Sequence, residues 1–475
     1  MSPYLTVIGL AFIMDAKENE GVIRRPKRRR ATSVHMKELP AAFIERMKNE
    51  LGPDYPVFEA CYDLPPVRGL RVNTLKISVG DFRAVSPWEL AETGVIPEGF
   101  VVPDAENVGR HPFHSAGLFY MQEPSAMSVI AASEADDPGL RVLDLCAAPG
   151  GKSGGVAARM KGRGILVSNE IVPKRATLLS RNLERLGVAN AAVISKKPDV
   201  VARELAGLFD IVLVDAPCSG EGMFRKDDTA IAEWSPEAVA ACAARQSLIL
   251  ESARECVAPG GTLVYSTCTF SREENEEVIE RFLVSNGDFS LEHMERLYPH
   301  AYRGEGHFVC RMRRENGGSG RIKPAFVKPA CDKKSLGLLS AFVSDTLEDP
   351  LPDGVVVNAN GVLKLVPADM PEAVMRLDPI SSGVTLGEIR KDRFEPSHTF
   401  FMAALGQRFR REIRLDPDSP ELKAFMSGNT LPCPDGLRGY SAVSVLAGDK
   451  SFPVGFGKAV GGIMKNHLPK GLYLS

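Results

Sequence analysis

The chain has 475 residues, of which 44 % are hydrophobic and 25 % charged, and its formal net charge is −2. That balance is ordinary for globular protein; it excludes wholesale disorder, collagen and a small disulfide scaffold, and at roughly 150 residues per domain it accommodates about three domains. Near-neutral total charge also means that any nucleic-acid contact must come from local basic patches.

Near the start, the apolar run Leu5 to Met14 is too short to span a bilayer, and it precedes the basic run Arg24 to Arg30, the reverse of a signal peptide. Residues 1–35 read as an extension outside the fold, either a disordered basic tail or a misassigned start. A small mixed α/β domain is expected over 36–115, with a helix at Ala41 to Leu51 and a strand-like stretch from Gly69 to Lys76. Over 116–313, apolar runs alternate with helical patterns. The strand candidates lie at 141–146, 164–170, 191–195, 210–215 and 261–267, and the clearest helices at 173–186 and 235–257. Several strand candidates are unbroken Val/Ile/Leu runs, as in a sheet buried on both faces. The alternation predicts an α/β fold with a doubly wound, mostly parallel sheet. The stretch from Arg311 to residue 335 reads as a basic linker, with 314–335 as its body. Residues 336–400 read as a small α/β domain, and 401–475 as short strands broken by Gly and Pro.

The nine cysteines are odd in number and form no CxxC pair, so neither a disulfide framework nor a metal site is expected, and a reducing cytoplasm is the expected location. The run from Val142 to Lys152 opens a strand into a loop of small residues, where a ligand can approach the backbone. A P-loop would need Gly at 146, where Cys146 stands. A nicotinamide fingerprint fails at Ala148 and Ser153. S-adenosylmethionine is the third ligand. It requires an acid at the end of the next strand, and Glu170 stands there, at a spacing that also suits NAD.

The run Asp144-Leu-Cys-Ala-Ala-Pro-Gly-Gly-Lys152 resembles the first motif of the RNA cytosine-C5 methyltransferases, the RsmB/RsmF/NSUN family. Further motifs follow in order: Tyr120-Met-Gln-Glu-Pro-Ser125 before it, then Asp215-Ala-Pro-Cys-Ser-Gly-Glu-Gly-Met-Phe-Arg-Lys226 and Tyr265-Ser-Thr-Cys-Thr-Phe270. The pieces Pro299-His300, Gly304-Glu-Gly-His-Phe308 and Lys465-Asn-His-Leu-Pro-Lys-Gly-Leu472 resemble the RsmF branch, which acts on 16S rRNA. The resemblance covers residues 36–475 and implies a Rossmann-like class I methyltransferase domain with a PUA-like RNA-binding region at 401–475. It implies S-adenosylmethionine contacts at Cys146, Ala147, Ala148, Pro149, Gly150, Gly151, Lys152, Glu170 and Asp215. It makes Cys268 the nucleophile, Cys218 the thiol that assists product release, and Asp215 the group at the N3 and exocyclic-amine edge of the base. Two departures stand out. No Asp directly follows the third strand, where Ser195-Lys-Lys-Pro-Asp199 stands, and Tyr473 replaces an Arg usual in relatives.

Chemistry at C5 explains the need for a thiol. C5 of cytosine is too weak a nucleophile to take a methyl group unaided, and thiolate addition at C6 converts the ring to an enamine. Cys218 follows the fourth strand and Cys268 ends the fifth, so a doubly wound order makes them neighbours. Composition does not say which one attacks. The loop from Gly220 to Trp234 offers Met223, Phe224, Arg225, Lys226 and Trp234 for stacking and phosphate contact, with Arg225 and Lys226 the expected RNA ligands. Three basic segments, Arg24 to Arg30, Arg303 to Lys334 and Arg408 to Arg414, suggest a phosphate track. The expected substrate is ribosomal RNA of the small subunit, with tRNA as the alternative that shares the core motifs. The chain is expected to be a cytoplasmic monomer without membrane contact. A catalytically idle assembly factor is the competing class, and intact Cys218, Cys268 and Asp215 count against it.

Overall fold

Five parallel strands form from the apolar runs of the middle region: Arg141–Asp144, Ile165–Asn169, Ala191–Ile194, Phe209–Asp215 and Val257–Thr267. The computed structural model describes residues 38–102, 107–137, 139–317 and 322–474; the expectation for residues 1–35 lies outside the described residues. Helices cover the sheet, so most strand residues are buried and read as continuous apolar runs. The helix Pro173–Leu186 starts with Pro in its first turn and stops at Gly187, whose φ of 79° is the left-handed value that glycine adopts without penalty. The helix Pro236–Cys256 is capped by Ser235, whose hydroxyl accepts from the Ala238 amide at 3.1 Å.

Sheet order is Phe289–Leu297, His307–Arg314, Val257–Thr267, Phe209–Asp215, Arg141–Asp144, Ile165–Asn169, Ala191–Ile194 and Ser381–Ser382. Chain order reverses at Arg141–Asp144, which lies between Ile165–Asn169 and Phe209–Asp215. The carboxyl ends of these strands therefore open at a topological switch point, where Rossmann-like sheets take ligands.

Three expectations change. Arg311, Arg313 and Arg314 do not begin a linker but close the antiparallel strand His307–Arg314. Cys310 and Met312 point into the core, and Arg313 and Arg314 pair with Glu292 at 2.8 Å and Asp288 at 3.0 Å. The strand Phe119–Met121 pairs with Gly69–Val72, so the N-terminal sheet runs past residue 115. Ser381 and Ser382, in the stretch read as a separate domain, pair with Val193 and Ala192 at the edge of the central sheet.

Two more layers complete the described chain, one antiparallel and one mixed, with Glu412–Leu415 running parallel to Gly439–Ala447. One is the sheet Val355–Ala359, Val362–Val366, Val384–Arg390 and Arg393–Pro396; the other is a five-stranded sheet built on the hairpin Gly439–Ala447 and Lys450–Val460. Leu70, Val72 and Phe119 of the N-terminal sheet share one core with Val443, Val445 and Met464 of that last sheet. Among the described residues no helix is long and apolar enough to cross a membrane.

Candidate active site

The loop after Arg141–Asp144 is shaped by what its residues lack. Gly150 has φ 110°, which L side chains rarely adopt, and a Cβ there would meet Leu179 at 3.0 Å. A Cβ on Gly155, in the helix Gly151–Arg159 that follows, would overlap Ile130 at 2.2 Å. Several bonds pin the loop from outside. Arg175 Nη2 donates to the Ala148 carbonyl at 3.2 Å and Asn182 Nδ2 to the Pro149 carbonyl at 2.8 Å. Arg71, fully buried, reaches from the N-terminal sheet and donates to Gln122 Oε1 and to the Gly151 carbonyl, both at 2.9 Å. Beneath the loop, Asp144 accepts from Ser153 Oγ at 2.6 Å, and burial raises its carboxyl to about 7. Burial also pushes the Cys146 thiol up, consistent with packing rather than reactivity.

Glu170 sits at the end of the second strand, 4 % exposed. Its Oε1 accepts from the Val172 amide at 2.9 Å, and its Oε2 lies 3.3 Å from Arg175 Nη1. A loop of small residues beside one fixed carboxylate at the next strand end fits a nucleoside with vicinal hydroxyls, which the carboxylate would accept from. At the third strand, Asn169 clasps the backbone N–H and C=O of Lys196. Asp199 lies beyond it, exposed in the first turn of Pro198–Glu204. The sequence pattern had not singled out Arg71, Asn169 or Asn182.

The two thiols lie at the next strand ends. Phe209–Asp215 and Val257–Thr267 run parallel with Asp215 opposite Ser266, which brings Cys218 Sγ to 3.3 Å from Cys268 Sγ. The Cys268 contact, burial and the nearby Glu274 carboxylate push the Cys218 thiol well up. Asp215 accepts from Ser266 Oγ at 2.8 Å and pairs with Lys152 Nζ at 2.7 Å. Burial works against the Asp215 charge, but the Lys152 charge and the hydrogen bonds from Lys152 and Ser266 outweigh it and hold the carboxyl below the usual range. Burial likewise opposes the Lys152 charge, and Asp215 turns the balance upward. His307 Nε2 lies 3.9 Å from Asp215. Burial and the Lys152 charge lower the imidazole to about 4, so it is neutral near pH 7. Neither of its ring nitrogens has a hydrogen-bond partner among the described residues. The Gly304–Phe308 piece contained this residue, but nothing local marked it as a neighbour of Asp215.

The loop after Cys218 differs from its expected role. Phe224 and Trp234 are buried against Phe43 of the helix Ala41–Leu51, with ring centroids 5.1 and 6.1 Å away, rather than open for stacking. The Glu221 side chain, also buried, accepts from Phe270 N at 3.0 Å, from Trp234 Nε1 at 2.8 Å and from Arg46. Gly222 N donates to the Cys268 carbonyl at 2.8 Å. Arg225, expected on RNA, is 8 % exposed; it donates to the Pro65 carbonyl at 2.8 Å and lies 3.4 Å from Glu305. Lys226 is half-buried, and burial lowers its ammonium. The segment Arg408 to Arg414 is matched by acids: Arg408 by Glu348 and Asp349, Arg411 by Asp345 and Arg414 by Glu412.

Family models match four stretches. The model for the 16S rRNA methyltransferase RsmB/F covers residues 130–313, and that for the N-terminal domain of 16S rRNA methyltransferase RsmF covers 39–124. The first C-terminal domain of RsmF rRNA methyltransferase matches 341–404, and the methyltransferase RsmF PUA domain 412–474. Ribosomal RNA small subunit methyltransferase F of Serratia proteamaculans is 32 % identical, over 91 % of this chain and 96 % of its own. Its namesake in Escherichia coli is 32 % identical, over 92 % and 97 %. Among solved structures, a methyltransferase homologue from Pyrococcus horikoshii is 29 % identical, with a TM-score of 0.52 over 57 % of this chain and 94 % of that one. NSun6 from the same organism, solved with SFG, also has a TM-score of 0.52, over 59 % and 99 %; at 20 % identity that likeness speaks to the fold.

Proposed function

This chain belongs to the RsmB/RsmF family of 16S rRNA methyltransferases, and on that premise we propose that it methylates C5 of a cytosine in small-subunit ribosomal RNA through a covalent bond from Cys268 to C6. The observation that carries the reading is the pair of thiols 3.3 Å apart beside the Asp215 carboxylate. S-adenosylmethionine, when bound, supplies an electrophilic methyl group on a sulfonium. The residues that would hold it are the loop Cys146 to Gly151 and Glu170, the latter through the ribose hydroxyls.

The protein's own groups divide the work. As thiolate, the Cys268 sulfur gives an electron pair to C6, and the C5–C6 π pair moves onto C5, which becomes nucleophilic enough to take the methyl carbon from a sulfonium, whose sulfur would keep the pair of the broken bond. Asp215 is held ionised, so it accepts from the exocyclic amine and has no proton to donate to N3. Donation toward N3 or the neighbouring carbonyl falls to Lys152, 2.7 Å from Asp215. After transfer, a base takes the C5 proton, the pair returns to form C5=C6, and Cys268 leaves as thiolate. Cys218, favoured as the protonated thiol, donates a hydrogen bond to the departing sulfur. Small-subunit rRNA as substrate is supported by the relatives named for it and by the PUA-type C-terminal match. A base within a duplex must first be flipped out or presented in a loop.

The test separates the two thiols. Cys268→Ala should abolish methylation and give no adduct. Cys218→Ala should still methylate, release slowly, and accumulate RNA-linked protein on denaturing gels with S-adenosylmethionine. Bisulfite sequencing of 16S rRNA from a deletion strain should lose a methylated cytosine. Adduct from Cys268→Ala alone would make Cys218 the nucleophile, and full activity in both variants would exclude the covalent route.

A further inference from the structure

The two thiols sit on separate loops, and one dipeptide fastens both. Glu274 and Asn275 lie between Cys268 and the helix Glu276–Ser285, and both are fully buried. Asn275 serves the Cys268 loop. Its Oδ1 accepts from Thr267 Oγ1 at 2.6 Å and its Nδ2 donates to the Thr269 carbonyl at 3.0 Å, so both neighbours of Cys268 are tied down. Glu274 serves the Cys218 loop. Its carboxylate accepts from Ser219 N at 3.0 Å, from Ser219 Oγ, and from Gln246 Nε2 at 2.8 Å. Gln246 Nε2 also donates to the Pro217 carbonyl at 3.1 Å, so both neighbours of Cys218 are tied down as well. Ser219 Oγ and Thr269 Oγ1 meet at 2.9 Å and join the two loops directly. Tyr265 OH donates to the Glu274 carbonyl at 2.7 Å and anchors the dipeptide on the strand that leads to Cys268.

We propose that Glu274 is a positioning residue for product release: with Asn275 it keeps the two sulfurs in contact, with Cys218 aimed at Cys268 as hydrogen donor. This rests on the roles of Cys268 and Cys218 given above. A buried carboxylate is costly unless its oxygens are occupied, and these oxygens are occupied by uncharged donors. Burial raises the Glu274 carboxyl, and the bonds from Ser219 and Gln246 work the other way by satisfying the charge without cancelling it, so that when ionised it acts on what lies beside it. After the Cys268 contact and burial, Glu274 is the group that pushes the Cys218 thiol up. Tyr265 is near enough to Cys218, and Cys242 on the helix Pro236–Cys256 and Glu221 near enough to Glu274, for their charges to be felt. Arg46 pairs with Glu221, and Arg245 acts on Cys242 from the same helix. A spacer with no chemical bearing would need neither a charge nor contacts to both loops.

The variant is Glu274→Gln, which keeps size and removes charge. In the adduct assay it should resemble Cys218→Ala: RNA-linked protein at least about fivefold above wild type, with single-turnover methyl transfer reduced by less than about threefold. The double variant Cys218→Ala/Glu274→Gln should trap no more RNA than Cys218→Ala. A second readout needs no RNA. Iodoacetamide labelling of Cys218, followed by mass spectrometry from about pH 6 to about pH 10, should move to lower pH in Cys268→Ala/Glu274→Gln than in Cys268→Ala, because a neighbouring negative charge disfavours the thiolate. Ser219→Ala, which leaves the carboxylate in place, should trap RNA without that shift. A folded Glu274→Gln with no excess adduct and an unmoved labelling profile overturns the proposal. So does equal loss of transfer and release, which marks a merely structural role. If Glu274→Gln does not fold, Ser219→Ala decides, and absence of excess adduct overturns the proposal. If Cys218→Ala itself traps nothing, the covalent reading fails instead, and the labelling shift still reports whether Glu274 acts on Cys218.

Discussion

Removing the Glu170 carboxylate should separate cofactor binding from RNA binding. The side chain is 4 % exposed at the end of its strand, and Val172 N and Arg175 hold it in place. It is therefore ordered before any ligand arrives, and little entropy is lost when ribose hydroxyls donate to it. Hydrogen bonds to a charged group contribute about 1.5–3 kcal/mol, so Glu170→Ala should weaken S-adenosylmethionine binding by about 10- to 150-fold. Glu170→Gln keeps an acceptor for Val172 N and should lose less. Titration calorimetry gives the affinity, and thermal melting gives an independent check. At a concentration about 100 times the wild-type Kd, S-adenosylmethionine stabilises the folded chain by about 2.7 kcal/mol; a variant weakened about 100-fold would keep only about 0.4 kcal/mol of that. RNA affinity without cofactor should be nearly unchanged. Unaltered cofactor affinity by both measurements would remove Glu170 from the site.

Two further outcomes follow from ion pairing and burial. Because Arg313 and Arg314 are strand residues paired with Glu292 and Asp288, the double change Arg313→Gln/Arg314→Gln should leave the salt dependence of RNA binding unaltered; a slope flattened by about one per residue would restore them to a phosphate track. His307 has an ordinary value of 6.5 when unfolded and about 4 when folded, so between those limits the unfolded chain binds the extra proton and stability falls as pH drops from 6.5 towards 4, by at most about 3 kcal/mol. His307→Asn should lose less stability than wild type over that window in urea unfolding; equal slopes would refute the assignment.

The parallel strands were legible because burial on both faces leaves no room for polar interruption, and unbroken runs such as Ile211 to Val214 result. The site was legible for a related reason. A doubly wound sheet gathers the carboxyl ends of its strands at one edge, so residues that follow consecutive strands, such as Cys218 and Cys268, become neighbours whatever lies between them. Arg311 to Arg314 misled because a strand at the side of a sheet is apolar only on alternate residues. Its charges look like linker until Glu292 of the neighbouring strand and Asp288 just before it are seen beside them.

Phe224, Arg225 and Trp234 misled for a deeper reason. Aromatic and cationic side chains in one loop suit stacking on RNA and suit docking onto another helix equally well, since both bury ring faces and satisfy a guanidinium. The deciding partner, the helix that carries Phe43 and Arg46, lies about 180 residues upstream, and the loop itself carries no trace of it. The same holds for the groups that position the thiols. Ser219 and Glu274 are 55 residues apart, Gln246 and Glu274 are 28 apart, and each taken alone is an ordinary polar residue on a loop or helix. A short motif can show which atoms react, because it specifies residue types at one strand end. The bonds that hold those atoms in line join different strand ends, so they emerge only when the sheet closes. Mutations at Glu274, Asn275 and Gln246 should therefore alter the timing of the reaction without touching any residue that meets the base.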